Sequence, residues 1–529
     1  MPIIRRELPL LLLLIVCLIS GLLVFQDYGL SWDEPLYYDY GKSSQYAYSI
    51  SARLEGTFDL EKSFGKSPSD HVTRGPAYLL IAGLFEGLFE KSGLDLASAW
   101  HLTNFLDFLA GLVFFYFLAR FWLDPWPAAF STALLATQPV IWNHAFMNPK
   151  DVPFAVFFLI SMSLGFRMIE NWDDRPRISG TILPGIFLGI TMSIRFLAPF
   201  LVLLLLLFFA LRCISMERPD DASRGLSLRL IPRWKAAWAF IPYGVVAIVT
   251  MIVLWPFLWP DPLGRFVFTL RAMSETSANL KILFMGNEYP AYSLPRRFFP
   301  VLLSTTLTEP TWILFGTGVI TALLKSREQA TRFGRTITVL LWFAIPILLL
   351  VAVNPPNSDG YRHYLFILPP VFLFAGFGLN SIFTKINKQW LNIGLGVLLL
   401  LPGIHNIIIL HPYEYTYYNS FLGGTKEAFR RYETDYWLTC YKDAVDEFNT
   451  VSDENARLFV KREPYIAAYY SRPDITILDY RADLKTAQKG DYLLINSRSN
   501  EDIQTLRDAP IFLQVGRSGA IFCVIKEFQ

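Results

Sequence analysis

The stretch GLSWDEPLYYDYGK, residues 29–42, sets two carboxylates side by side, Asp33 and Glu34, directly after an apolar run. Charges close to hydrocarbon are costly, so an acid pair at such a place faces a cavity or serves a reaction. Farther along, Lys150 and Asp151 lie in FMNPKDVPF, Arg195 closes another apolar run, and Arg362 with His363 opens a third in GYRHYLFILPP. His101, Asn104 and Asp107 follow one another at three-residue spacing, which keeps them on one broad helical face. These side chains are of types suited to proton transfer and to anion binding. Each also has a purely structural reading. Asp33 and Glu34 can be solvated loop acids, Asp151 can cap a helix, and Arg195 and Arg362 can reach for lipid headgroups. His101 and Asp107 can satisfy each other, and His363 can sit at the interface as a structural histidine.

The elements that must position these groups follow from composition. The chain has 529 residues, 53% hydrophobic, 16% aromatic and 17% charged, where soluble proteins carry about 25% charged residues. Runs such as LPLLLLLIVCLISGLLVF and LAPFLVLLLLLFFAL match a hydrocarbon core of roughly 30 Å. The chain therefore reads as a polytopic α-helical membrane protein. About eleven spans are predicted, near 8–26, 98–120, 126–145, 150–169, 179–195, 197–213, 236–257, 310–324, 336–353, 362–381 and 391–410. The segment 76–91, with Glu86 and Glu90, fits an interfacial amphipathic helix better than a span. Basic clusters at Arg212, Arg218, Arg224, Arg229, Arg233 and Lys235, at Lys325, Arg327, Arg332 and Arg335, and at Lys385 and Lys388 then mark the cytoplasmic side. That places the N-terminus in the cytoplasm, with loops 27–97 and 258–309 and everything after about 411 outside. The first run reads as an uncleaved span. All the candidate site residues fall near the outer ends of spans, which suggests one cavity.

After the last span charge rises, and β-rich runs such as DYLLINS and IFLQVGRSGAIFCVIK alternate with helical ones. Residues 1–425 are read as a transmembrane catalytic domain and 426–529 as a small extracytoplasmic α/β domain, accessory to the chemistry. Four cysteines, Cys17, Cys213, Cys440 and Cys523, lack zinc-site spacing and indicate no disulfide framework. A net charge of +2 argues against a nucleic-acid partner.

SWDEPLYYDYGK, RGPAYLLIAGLFEGLFE, NPKDVPF and GYRHYLFILPPVFLFAG occur here in an order and sidedness that resemble the GT-C superfamily of membrane glycosyltransferases. The similarity points to the branch of protein O-mannosyltransferases and lipid A aminoarabinose transferases, and it covers about residues 8–425. His101 stands where that branch usually has a basic residue. The resemblance implies sugar transfer, with inversion, from a polyprenyl-phosphate donor to a protein, lipid or glycan acceptor at the outer face of the cell membrane. Asp33 would be the general base, with Glu34 and Asp151 as further catalytic acids. Lys150, Arg195 and Arg362 would hold the donor phosphate, and Tyr361, His363, His101 and Asp107 are further site candidates. No metal is expected, since a phosphomonosugar has no diphosphate to neutralise and the first loop has no DxD motif, although Asp33, Glu34 and Asp151 together suit a divalent cation. The competing class is a polytopic lipid or solute transporter or flippase. Such proteins commonly carry internal repeats and mid-membrane broken helices, and the sequence shows no repeat.

Overall fold

The computed structural model describes residues 6–172, 176–195, 197–217, 227–230, 232–275, 280–326, 330–386 and 388–529. Arg218, Arg224 and Arg327 of the basic clusters lie outside the described residues. Apolar helices occupy each predicted span position. The ones that matter for the site are α1 (Leu8–Val24), the loop helix α2 (Glu34–Gln45), α3 (Ala77–Lys91), α4 (Leu96–Ala119), α5 (Pro139–Met147), α6 (Asp151–Glu170) and α7 (Ser179–Ile194). Later in the chain come α8 (Glu309–Ser326), α9 (Ala330–Val353), α10 (Pro369–Lys385) and α11 (Gln389–Leu410).

The count of eleven spans is not recovered as eleven full-length helices. Among the described residues five helices are long and apolar enough to cross a membrane, six if the pair 298–306 and 309–325, bent by 108°, is one span. Local chemistry explains the shortfall. The third predicted span breaks at Thr137 and Gln138, ahead of Pro139, and restarts as α5. The tenth opens with a 3-10 turn, Arg362–Ile367, and becomes α-helical only at Pro369, where proline suits a first helical turn. The segment 76–91 is the helix α3, which leaves Leu84, Phe85 and Leu88 exposed.

Opposite ends of the same helices carry different chemistry. At one end Glu170 of α6 pairs with Arg335 of α9, and Arg335 stacks near the rings of Phe121 and Trp122. At the other end α6 begins with Asp151, α7 finishes beside Arg195, and the residues after α11 pack over the helix ends. There α12 (Tyr441–Val451) covers a five-stranded mixed sheet of β1 (Arg457–Val460), β2 (Thr476–Asp479), β3 (Tyr492–Asn496), β4 (Ile511–Arg517) and β5 (Ala520–Glu527). The strand order is β2-β1-β3-β5-β4, with β1 parallel to β2 and β3, and β5 antiparallel to β3 and β4. The GRSG turn joins β4 to β5 with Ser518 and Gly519 at φ 48° and 80°, as a two-residue hairpin requires. A disulfide joins Cys440 to Cys523 across 83 residues. This corrects the cysteine reading: the pairing links a helix start to a late strand, and no local spacing announces it.

Candidate active site

Asp151 begins α6 because Asn148 prepares the turn. The Asn148 side-chain Oδ1 accepts from the backbone N–H of Lys150 at 3.2 Å and of Asp151 at 2.8 Å, and Pro153 follows in the first turn. Asparagine therefore does the capping, and the Asp151 carboxylate is left for other partners. It is 1% exposed and lies between two guanidinium groups. Arg195 Nη2 meets Oδ1, and Arg362 Nη1 lies 3.0 Å from Oδ2. Arg362 in turn spreads over three acids. Its Nη2 is 3.1 Å from Asp33 Oδ2 and 2.9 Å from Asp359 Oδ2, while the guanidinium lies 4.7 Å from the ring centroid of Trp437.

Asp33, Arg195 and Arg362 of this group line a cavity of about 270 Å³. Asp33, at the N-terminus of α2, is the carboxylate among the lining side chains, and it is partly exposed. Facing it are Arg74, Lys150, Arg195 and Arg362. Arg74 reaches the cavity because Gly75 lets its backbone press against α7, where any side chain would run into the Ser193 carbonyl. Tyr37, one turn along α2 from Asp33, accepts from Arg74 Nη1 at 2.8 Å and from Lys150 Nζ at 3.0 Å. Burial raises the Tyr37 phenol above its usual range despite Arg74, so it keeps its proton. With both lone pairs taken, that O–H remains as a donor. Lys150, in the loop between α5 and α6, is pushed well below the usual lysine range by burial and by Arg74 and Arg195. An anion in the cavity would reverse that push. His363 lines the same cavity, with Nδ1 3.0 Å from Arg195 Nη2.

Other candidates lie elsewhere. Glu34 points away from the cavity and is fully buried. Its Oε2 accepts from the Ser31 N–H at 2.6 Å, and its Oε1 meets the Tyr38 hydroxyl and lies 3.1 Å from His101 Nε2. The one-residue step from Asp33 along a helix start rotates Glu34 toward α4, so it and His101 hold α2 onto α4. His101 does not pair with Asp107. Asn104 bonds Tyr78 and the Phe146 carbonyl, and Asp107 does not line the cavity. Tyr361 turns to Thr306, whose hydroxyl donates to it at 2.9 Å. Asp151 stands behind Arg195 and Arg362 and not on the cavity wall, so its place is to hold two cations. Sequence reasoning passed over Arg74, Tyr37 and Asp359. The signal for Arg74 was present in HVTRGPAY, a lone arginine before a Gly-Pro step into an apolar helix.

Residues 73–218, which contain Arg74, Lys150, Asp151 and Arg195, match the family model described as dolichyl-phosphate-mannose-protein mannosyltransferase. No curated protein sequence matches the chain. Among solved structures it is similar to the crystal structure of ArnT from Cupriavidus metallidurans bound to undecaprenyl phosphate, at 12% identity over 97% of each chain with a TM-score of 0.52. It is also similar to the archaeal oligosaccharyltransferase AglB from Archaeoglobus fulgidus, in complex with an inhibitory peptide and a dolichol-phosphate. That match has 11% identity over 96% of this chain and 71% of that one, with a TM-score of 0.53. The fold is that of the GT-C superfamily of membrane glycosyltransferases, in a multi-pass membrane protein. The partial family match and the likeness to ArnT agree with the resemblance that the motifs carry, to protein O-mannosyltransferases and lipid A aminoarabinose transferases.

Proposed function

We propose that this protein transfers a sugar from a polyprenyl-phosphate donor to an acceptor hydroxyl at the outer membrane–water interface, with inversion at the anomeric carbon. The observation that carries the reading is the cavity in which one partly exposed carboxylate, Asp33, faces Arg74, Lys150, Arg195 and Arg362. Asp33 takes the proton of the acceptor hydroxyl as its oxygen attacks the anomeric carbon. The bond from that carbon to the phosphate oxygen breaks, its electron pair stays on the phosphate, and polyprenyl phosphate leaves. The charge that grows on the leaving oxygen meets fixed donors in a buried site, where such stabilisation is largest. Arg362, shared between Asp33, Asp359 and Asp151, is the group that couples the base to the phosphate.

The reaction is read as metal-free. Asp33 and Asp151 each have arginine partners, and Glu34 faces away, so these acids do not converge on one point among the described residues. The disulfide supports an extracytoplasmic C-terminal region, because such bonds persist in oxidising compartments, and the basic residues at the far end of the bundle support a cytoplasmic N-terminus. The test is product formation: membranes containing the protein should convert a polyprenyl-phosphate sugar into free polyprenyl phosphate plus a glycosylated acceptor. Movement of the intact donor between leaflets with no polyprenyl phosphate released would contradict it.

A further inference from the structure

We propose that the C-terminal region completes the catalytic centre, with Arg498 as a positioning residue that acts through Asp359 to fix Arg362 beside Asp33. The functional consequence rests on the transfer reaction proposed above, while the geometry is independent of it.

Arg498 follows β3, and its side chain is 1% exposed. Its guanidinium makes two ion pairs and one hydrogen bond. Nη2 lies 3.0 Å from Asp359 Oδ1, Nε 3.3 Å from Glu433 Oε1, and Nη1 donates to the Tyr436 carbonyl at 2.8 Å. The group also lies 4.8 Å from the ring centroid of Trp32, the residue before Asp33. The other oxygen of Asp359 takes Arg362 Nη2, the nitrogen that reaches Asp33. A continuous line of charge, Arg498 to Asp359 to Arg362 to Asp33, thus runs from the sheet to the cavity wall. Trp437, from the segment that also supplies Glu433 and Tyr436, lies against Arg362.

Cohesion alone is a poor explanation for this arrangement. Buried ion pairs stabilise little compared with apolar packing of the same volume, and their best-attested use is to fix one geometry. The loop that carries Arg362 needs fixing. Asp359 and Gly360 both have positive φ, 57° and 67°, and a non-glycine residue stays there only when its surroundings hold it. Burial pushes the Asp359 carboxyl up, but Arg498 and Arg362 outweigh it and hold it below the usual carboxylate range, so the line stays charged. Arg498 does not line the cavity, and its influence on a bound phosphate must pass through Asp359.

The test uses the full chain with Arg498→Gln, Arg498→Lys, Asp359→Asn and the Arg498→Gln/Asp359→Asn double variant. Two readouts are taken, amide exchange across residues 357–363 and affinity for undecaprenyl phosphate. Arg498→Gln should speed exchange in that loop and weaken the lipid phosphate about tenfold, a coupling within the usual range for neighbours in one network. Arg498→Lys should lie between, Asp359→Asn should match Arg498→Gln, and the double variant should be no worse than either single one. Unaltered loop exchange in folded Arg498→Gln, or fully additive losses in the double variant, would overturn the proposal. Should Arg498→Gln not fold, Arg498→Lys and Asp359→Asn decide by the same readouts, wild-type values in both being the contrary result. Failure of the unaltered protein to bind undecaprenyl phosphate would count against the transfer reading, and loop exchange would still decide the role of Arg498.

Discussion

Lys150 is the residue whose environment has the most direct chemical consequence. Its ammonium is disfavoured by burial and by two nearby arginines, so in the empty cavity it deprotonates at lower pH than a free lysine. A phosphate beside it favours the charged form, and binding therefore takes up a proton. The sign follows: affinity for undecaprenyl phosphate should fall as pH rises through the interval between the lowered pKa and that of the complex. Calorimetry in buffers of different ionisation enthalpy should show proton uptake on binding that is lost in Lys150→Met. Equal proton uptake in both proteins would remove Lys150 from the phosphate site. The proposed transfer uses no metal, so chelation by EDTA should leave it intact; loss on chelation with recovery on adding a divalent cation would show otherwise. Asp33, Lys150, Arg195, Arg362 and His363 were legible in the sequence because charge at the end of an apolar run is rare. Glu34 lies off the cavity because adjacent residues on a helix point in different directions, a fact that only the start of α2 fixes.

The elements explain why the arginines meet. Asn148 caps α6, α7 stops before Arg195, and a loop with two positive-φ residues aims Arg362, so side chains 44 and 211 residues farther along the chain meet at Asp151. Helix positions were readable from apolar runs, whereas the breaks at Gln138 and at 362–367 depend on local turn chemistry that hydropathy does not register. The disulfide belongs to this scale as well. It ties the start of α12 to β5, close to Asp435, whose carboxylate accepts from the backbone N–H of Thr439 at 3.1 Å and of Cys440 at 3.0 Å. Removing a native disulfide typically costs about 2–5 kcal/mol. Replacing Cys440 and Cys523 together by serine should therefore lower the thermal midpoint by several degrees and loosen the segment that carries Glu433, Tyr436 and Trp437. An unchanged midpoint would mean that the remaining contacts already hold that segment.

At the scale of the whole molecule the site stands at one end of the bundle, under the sheet, and a basic cluster stands at the other. The loop charges predict a sidedness, whereas nothing in the sequence predicts the intimacy of the C-terminal region. The expected boundary near 426 separates the residues by composition, yet Arg498 and Trp437 enter the network of Arg362. Nothing in their sequence neighbourhood signals this, since the contacts join residues more than seventy positions apart. The orientation itself is directly measurable. In a background lacking Cys17 and Cys213, Lys489→Cys should react with an impermeant thiol reagent on intact cells, and Lys388→Cys only after permeabilisation. The reverse pattern would invert the molecule and place the cavity on the cytoplasmic side.

The central claim is that Asp33 is the base for glycosyl transfer. The measurement that meets it most directly compares cells lacking the gene and re-expressing either the wild-type chain or Asp33→Asn at equal levels. The glycosylated envelope product is quantified by mass spectrometry, and undecaprenyl phosphate binding is checked on the purified proteins. Asparagine keeps the shape of the side chain, and loss of a general base typically costs about 10²–10⁴-fold in rate. The account predicts that Asp33→Asn still binds the lipid phosphate while product formation falls by at least that range. Product at the wild-type rate from a folded, correctly inserted Asp33→Asn protein would contradict it.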